Sequence, residues 1–506
     1  MDWLALKSGS DVRGTAAGEG IVLTPEAAEK LGAAFAHMLA ERKGKAIRDI
    51  RVSLGRDSRI TGEKLLDATA EGIASTGASA IRFGMCTTPA MYMSTITEGF
   101  EPDGAVMITA SHHPWNKNGL KFFTREGGLE GKDIEHLLTI AAEAEKQDQA
   151  AAEKGSISDE AFLPVYTRQL ADRIRSGLKT TEEKPLAGLH IAVDAGNGAG
   201  GFYAAMLESL GAETGGSQFL EPDGMFPNHI PNPENKEAMA SLRAAVLKAG
   251  ADLGVIFDAD CDRAAVVDAD GKEINRNRLI ALISAILLEA RPGQTIVTDS
   301  VTSSGLKQFI EAHGGTHYRF KRGYRNVIDE AIRLNKEGFS CPLAIETSGH
   351  AALKENHFLD DGMYLVTVLI VKAMEMKKQG QHLGDLIADL REPAEAAEIR
   401  LAITAPDFRT TGRKTIERVT AYAESHPEWH IAPDNREGIR ISFDLNGQPD
   451  AGWFLLRMSV HDPVMPLNAE SDVPGGVRTM MAGLYRVLSG ADGICLDDLK
   501  KTAEAE

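Results

Sequence analysis

One pattern occurs three times in this chain: strand, polar turn, amphipathic helix, small-residue turn, strand. It is read in "IRVSLGRDSRITGEKLLDATAEGIASTGASAIRFG" from Ile50, in "LHIAVDAGNGAGGFYAAMLESLGAE" from Leu189 and in "QTIVTDSVTSSGLKQFIEAHGGTHYRF" from Gln294. A short apolar strand joined through a helix to another strand needs a crossover, so each copy predicts a sheet with parallel strands and helices on its faces. Each copy is followed by a further strand that ends in a polar loop: "GAVMITASHH" at 104–113, "DLGVIFDADCDR" at 252–263 and "PLAIETSGH" at 342–350. The copies are unequally spaced and far longer than solenoid repeats, which predicts duplicated domains rather than a stacked array. Ligands of open parallel sheets gather beyond the carboxyl ends of strands, so the three loops are expected to converge on one cleft.

After about residue 395 the pattern changes to alternating strands, "EIRLAITAPDF…GIRISFDLNGQPDAGWFLLRMSVHDPVMPLNAES", which predicts a mixed or antiparallel sheet. The expected fold class is therefore α/β, with three related α/β domains containing mixed sheets and a C-terminal α+β domain around a central cleft. The expected domains are 1–157, 158–273, 274–394 and 395–506. The first linker is expected in the Ala/Glu/Lys-rich helical stretch 133–155 with its "GSISDE" ending, the second after "VVDADGKEI" and the third at "LREPAEAAE". The acidic tail "LDDLKKTAEAE" reads as a solvated helical end.

A formal net charge of −18 excludes an extended nucleic-acid surface, which needs clustered Lys and Arg. An anionic ligand would need a local basic pocket instead. Cys86, Cys261, Cys341 and Cys495 are far apart and lack zinc spacing, so they read as reduced thiols. Neither a signal-type N-terminus nor an apolar run of 18 residues or more is present, so no membrane partner and a cytoplasmic location are expected.

"FDADCDR" places Asp258, Asp260 and Asp262 at alternate positions just after an apolar strand. Continued strand would put all three carboxylates on one side, and a turn would gather them around a cation. Carboxylates that close repel one another unless a hard divalent ion neutralises them, and Mg²⁺ takes oxygen ligands while leaving room for a phosphate oxygen. An EF-hand is excluded because Arg263 stands where its glycine belongs and Ala269 where its glutamate belongs. The alternative is a solvated acidic turn.

Ser111 lies just past the strand "AVMITA", followed by His112 and His113. No GxSxG elbow surrounds it, which disfavours a hydrolase triad. Beside a divalent ion, phosphoryl transfer through its hydroxyl is the better reading, with His112 and Lys121 supplying donors or a proton. The alternative is that Ser111 and His112 cap a turn and Lys121 is a surface residue. "VDAGNGAGG" contains GxGxxG at Gly196, Gly198 and Gly201, with Glu221 about 20 residues on, as a dinucleotide site requires. The equivalent turns of the other copies are "GRDSR" and "DSVTSSG", so this one reads as a tight strand-to-helix turn.

Together, "TASHHPWNKNGLK", "FDADCDR" and "ETSGH" in that order resemble the α-D-phosphohexomutases, specifically the phosphomannomutase/phosphoglucomutase branch, over nearly the whole chain. The resemblance implies a phosphoryl group carried on Ser111 and Mg²⁺ held by Asp258, Asp260, Asp262 and that phosphate. It implies active-site roles for Arg13, His112, Lys121 and Arg263, with Lys121 as general acid or base. Glu346, Ser348 and His350 match the sugar-binding loop, and Arg457 and Ser459 the site for the substrate's non-reacting phosphate. It further implies a hexose phosphate substrate, glucose and/or mannose 1-phosphate interconverted with the 6-phosphate, and glucose 1,6-bisphosphate or its equivalent as activator. A monomer or homodimer is expected. The chain departs from the family at Val460, His461 and Asp462, where an Asn/Thr pair is usual, at Ile345 in place of Gly, and at Tyr324, which is His in some members. A mutase for phosphoglucosamine or a phosphopentose, a hexose bisphosphate synthase and a non-catalytic sugar-phosphate-binding regulator are the alternatives.

Overall fold

The first copy of the pattern builds a mixed sheet of eight strands. In the computed structural model, which describes residues 1–144, 153–459 and 462–505, seven of them run Lys7–Ser8, Asp11–Thr15, Lys117–Thr124, Gly104–Ile108, Arg51–Arg56, Ser79–Met85 and Ile157–Asp159 across the sheet. Arg51–Arg56 pairs in parallel with both neighbours, as a crossover requires, whereas Lys117–Thr124 runs antiparallel to Gly104–Ile108 and to Asp11–Thr15. That antiparallel return places Lys121 opposite Met107 of the strand that leads to Ser111, and the next strand places Arg13 opposite Gly119. The flanking helix Pro25–Lys43 starts with Thr24 Oγ1 accepting from Ala27 N and ends at Gly44 in the left-handed conformation.

The second copy gives a four-stranded sheet, Glu273–Ile274, Ala264–Asp268, Leu253–Phe257 and Ile191–Asp194. Its closing strand is reduced to isolated bridges, His190 with Glu213 and Asp194 with Gln218. The third copy gives three parallel strands, Thr316–Arg319, Thr295–Thr298 and Leu343–Ile345. The last segment is a five-stranded antiparallel sheet, Glu395–Ala402, Val464–Ser471, Gln448–Leu456, Ile439–Leu445 and His430–Ile431, packed with helices Phe408–Ser425 and Gly476–Leu488.

Residues 1–275 with 348–386 form one compact unit, and residues 276–347 with 387–506 form a second. The tail of the third loop, from Ser348, thus belongs to the unit that holds the first two loops, and Glu346 to the other.

Two expectations are corrected. The stretch 133–155 is helical as expected up to Ala144, but that helix is packed rather than linking: Gly131–Ala144 buries Ile134, Leu137, Leu138 and Ala141 in the first core, and "GSISDE" holds the edge strand Ile157–Asp159, parallel to Ser79–Met85. Residues 145–152 lie outside the described residues. The acidic tail is not wholly solvated either. Helix Asp497–Glu504 exposes its charged side chains but buries Leu499 in the last core, and burying a leucine side chain is worth about 1.5–3 kcal/mol. Among the described residues no helix is long and apolar enough to cross a membrane, and the four cysteines form no disulfides with one another.

Candidate active site

Strand Gly104–Ile108 is buried throughout, and the chain leaves it through Thr109 and Ala110 to reach Ser111. Ser111 is buried with φ 52°, a left-handed conformation that costs a non-glycine residue about 1–3 kcal/mol and persists only where its surroundings enforce it. Ser111 N donates to Thr109 Oγ1 at 2.9 Å, and Ser111 O accepts from Arg59 Nη2 at 2.5 Å. The hydroxyl so presented donates to Asp258 Oδ2 at 3.0 Å and lies 3.2 Å from His112 Nδ1. Burial, then the Arg263 and Arg13 guanidiniums, push His112 down to about 2, and burial and the nearby arginines push His113 down to about 4. A histidine held neutral this way offers hydrogen bonds to the hydroxyl without adding charge beside it.

Arg59, in the "GRDSR" turn after strand Arg51–Arg56, was not legible as a site residue. It is 1% exposed, and its guanidinium reaches four carbonyls of the serine loop. Nη2 donates to Ser111 O and, at 2.7 Å, to His113 O; Nη1 donates to Pro114 O at 2.8 Å and Lys117 O at 2.9 Å. Nε donates to Asp57 Oδ2 at 3.2 Å, and the same oxygen accepts from Thr109 Oγ1 at 2.7 Å. All five guanidinium donors are consumed. One buried ion pair therefore fixes the backbone from Ser111 to Lys117.

The three aspartates are gathered by a turn rather than by strand alternation. Strands Leu253–Phe257 and Ala264–Asp268 are antiparallel, with Phe257 opposite Ala264, and residues 258–263 close the hairpin. Cys261, at φ 66°, makes the bend, while Arg263 N donates to Asp258 Oδ1 at 3.2 Å. Asp258, Asp260 and Asp262 are buried, with one ligand atom of each lying within 4.8 Å of the others. Lys121 Nζ donates to Asp260 Oδ2 at 2.9 Å and Asp262 Oδ2 at 2.5 Å. Burial opposes the lysine's charge, but the two carboxylates outweigh it and hold the ammonium well above its usual range. Burial and the neighbouring carboxylates drive Asp258 upward. Burial acts on Asp262 in the same direction, but the Lys121 ammonium and the Arg263 guanidinium bring it below the usual range. Asp260 Oδ1 and Asp262 Oδ1 are buried without a hydrogen-bond partner. Buried carboxylate oxygens with unsatisfied lone pairs fit a hard, oxygen-seeking divalent cation.

Two further features support this loop. Thr88, which opens helix Thr88–Ser94, donates through Oγ1 to Asp260 Oδ2 and through N to Asp260 O at 2.9 Å. The GxGxxG turn, expected to be structural, lies beneath the loop: a Cβ on Gly198 would sit 2.7 Å from the Ala259 backbone, and one on Gly201 2.0 Å from Leu220 O. Gly198→Ala is accordingly expected to displace the aspartate loop at a cost of about 1–3 kcal/mol, read as a lower unfolding midpoint together with a Mg²⁺ titration shifted to higher concentration.

Of the third loop, Ser348 and His350 join this cluster. Arg263 Nε donates to His350 Nε2 at 3.1 Å, and Ser348 Oγ is 2.9 Å from His350 Nδ1. Arginine has no lone pair to offer, so Nε2 accepts and the ring proton lies on Nδ1, facing Ser348. His350 Nε2 is also 3.8 Å from Asp262 Oδ1. Arg13 lies on the strand beside Lys117–Thr124, opposite Gly119, and pairs with Asp11 Oδ2 at 2.8 Å. Ser111, His112, Lys121, Arg13, Arg263, Ser348 and His350 thus share one compact unit with the aspartates.

Glu346, Arg457 and Ser459 belong to the other unit. Glu346 Oε1 accepts from Gly323 N at 2.6 Å. Beside it Asp299, fully buried, accepts from Thr347 Oγ1 at 2.7 Å, and burial with the Glu346 charge pushes its carboxyl up to about 7. Glu437 Oε2 accepts from Ser300 Oγ at 2.6 Å and Arg322 N at 3.1 Å, and Glu437 Oε1 lies 3.9 Å from Arg457 Nη1. Neither Asp299 nor Glu437 carried a sequence signal. Ser459 Oγ accepts from Asp462 N at 3.2 Å, and Asp462 is exposed; Val460 and His461 lie outside the described residues. Tyr324 opens helix Tyr324–Lys336 just after Gly323.

Comparison with known proteins gives matches over most of the chain. Residues 5–150, 164–271 and 275–393 match the models of alpha/beta/alpha domains I, II and III of phosphoglucomutase/phosphomannomutase. The chain is 32% identical to a phosphoglucomutase of Neisseria gonorrhoeae over 92% of its own length and 93% of the relative's. It is 30% identical to a phosphomannomutase/phosphoglucomutase of Pseudomonas aeruginosa over 91% of its length and 90% of the relative's. A solved phosphoglucomutase/phosphomannomutase family protein from Burkholderia thailandensis superimposes with a TM-score of 0.78 at 27% identity, covering 96% of this chain and 97% of that one.

Proposed function

Because the chain belongs to the phosphoglucomutase/phosphomannomutase family, we propose that it is a hexose-phosphate mutase, which moves a phosphoryl group between C1 and C6 of glucose or mannose phosphate through phospho-Ser111 and a 1,6-bisphosphate. The observation that carries this reading is the Ser111 hydroxyl, buried and hydrogen-bonded to Asp258 of a three-carboxylate cluster.

In the forward direction, O6 of the 1-phosphate sugar attacks the phosphorus on Ser111. The O6–P bond forms as the Oγ–P bond breaks, a proton leaving O6 and one returning to Ser111 Oγ, and the bisphosphate must turn over before its 1-phosphate returns to Ser111. Asp258, Asp260 and Asp262, with a phosphate oxygen on Ser111, would hold Mg²⁺, which supplies charge neutralisation at the transferring group. The chain's own contribution is position and charge. Arg59 fixes the loop, Asp258 orients the hydroxyl, and Arg13 and Arg263 bring positive charge to where phosphoryl oxygens would lie. Lys121, held charged by Asp260 and Asp262, is the group assigned to return a proton to Ser111 Oγ and, once it has given that proton up, to take the one from O6. His112, held neutral, offers hydrogen bonds without adding charge. Glu346, Ser348 and His350 are assigned to sugar hydroxyls, and Arg457 with Ser459 to the phosphate that is not being transferred; a guanidinium fork suits that group. Glucose 1,6-bisphosphate, or an equivalent, is the proposed activator that loads Ser111.

A coupled assay with glucose 1-phosphate and mannose 1-phosphate, with and without catalytic glucose 1,6-bisphosphate, tests the reaction class and the sugar together. Formation of a 6-phosphate, stimulated by the bisphosphate, is expected. Tight binding of either sugar phosphate with no product would instead identify a binding protein. Asp260→Asn is expected to move the midpoint of the Mg²⁺ activation curve upward by about tenfold or more; an unchanged titration would remove the aspartates from the metal site.

A further inference from the structure

The phosphate-directed arginine has an unexplained carboxylate beside it. Glu437 lies in the turn before strand Ile439–Leu445, and no step above uses it. Its Oε2 is clamped from two directions, by Ser300 Oγ at 2.6 Å from the loop after strand Thr295–Thr298 and by Arg322 N at 3.1 Å from the loop after Thr316–Arg319. Its Oε1 faces Arg457 Nη1 at 3.9 Å.

The geometry points to Glu437 as the positioning residue for Arg457, an inference that rests on the reading of Arg457 as the arm for the non-transferring phosphate. A carboxylate gripping a guanidinium in two short parallel bonds would use the donors that a phosphate needs. At 3.9 Å the attraction orients the guanidinium and leaves its fork available. Consistent with that, Arg457 Nε is buried without a hydrogen-bond partner. An arginine side chain left to sample its rotamers would lose that freedom on every binding event, so a fixed counter-charge lowers the entropic cost of capturing the phosphate.

The same carboxylate sets a distance. The backbone N–H of Arg322 holds Glu437, and that of the next residue, Gly323, holds Glu346 at 2.6 Å. The proposed hydroxyl-binding carboxylate and the proposed phosphate-binding arginine are therefore tied to adjacent peptide units. Glu437 keeps the phosphate arm in register with the sugar loop, so a substrate is measured from its hydroxyls to its phosphate. This offers a way to hold the arm although the chain carries Val460 and His461 where relatives have an Asn/Thr pair.

The test uses full-length protein carrying Glu437→Gln, Glu437→Ala and, as control, Arg457→Ala. Steady-state kinetics are measured with the preferred hexose 1-phosphate, and its dissociation constant is measured by calorimetry in the Ser111→Ala background. Glu437→Ala should raise both KM and the dissociation constant about tenfold while kcat changes far less. Glu437→Gln, isosteric and able to keep the Ser300 contact, should show the same split at smaller size and melt as the parent does. If Arg457→Ala raises KM but both Glu437 variants leave it unchanged, the positioning role is overturned and the phosphate assignment stands. If Arg457→Ala has no effect on KM, the phosphate assignment itself fails. A fall in kcat and melting temperature with no change in binding would mark Glu437 as merely structural and also overturn the proposal.

Discussion

Replacing Ser111 with alanine is expected to remove mutase turnover almost completely, by about 10⁴-fold or more. Ser111 Oγ meets Asp258 Oδ2 at 3.0 Å, just past the end of a buried strand and in a backbone conformation the surroundings enforce. Without that oxygen the phosphoryl group has no place to wait between its departure from one carbon and its arrival at another. Substrate binding should survive, because the groups assigned to sugar and phosphate are untouched, so the loss falls on kcat. Ser111→Ala protein that retains wild-type turnover would eliminate the phosphoserine mechanism.

Arg59→Met is expected to be the most damaging substitution outside the residues that meet substrate. It leaves Asp57 buried without its cation, a change that typically costs about 3–5 kcal/mol, and it removes four donors from the carbonyls between Ser111 and Lys117. Burial already raises the Asp57 carboxyl above its ordinary value, with Arg59 opposing, and loss of Arg59 raises it further. A carboxyl whose folded value is raised weakens folding above its unfolded value, and that penalty fades as pH falls through the folded value. The stability deficit of Arg59→Met, measured as a denaturation midpoint, should therefore shrink on acidification. Adding Asp57→Asn should recover part of it at neutral pH without restoring turnover, since the serine loop remains unanchored. Equal deficits at pH 5 and pH 8, or no recovery in the double variant, would show that the pair is not coupled in this way.

These two sites differ in how far the sequence announces them. Ser111 and the aspartates stand just past strands that are buried at every position, and an uninterrupted apolar run that ends in polar residues is visible in one sequence. The metal loop is readable in its residues and in the turn that gathers them; what the sequence hides is the bend at Cys261. Arg59 was hidden because "GRDSR" has the composition of an ordinary solvated turn, and its partners lie more than 50 residues further along. Thr88 reaches Asp260 across 172 residues and Glu437 reaches Ser300 across 137. Nothing local distinguishes a polar side chain turned inward from one turned to water. The C-terminal helix was misread for the same reason, since one leucine among acids and lysines decides the docking that composition suggests will not happen. The glycines of "GNGAGG" illustrate the converse: a strong local pattern has a plain steric cause, the approach of Ala259 and Leu220 to Gly198 and Gly201.

The most direct measurement is the location and stoichiometry of covalent phosphate. Protein incubated with glucose 1,6-bisphosphate and Mg²⁺, then examined by intact mass and phosphopeptide sequencing, should carry one phosphate, on Ser111, that is lost to product when hexose 1-phosphate is added. Active protein that carries no phosphate, or carries it elsewhere and turns over normally, would contradict phosphoryl transfer through Ser111.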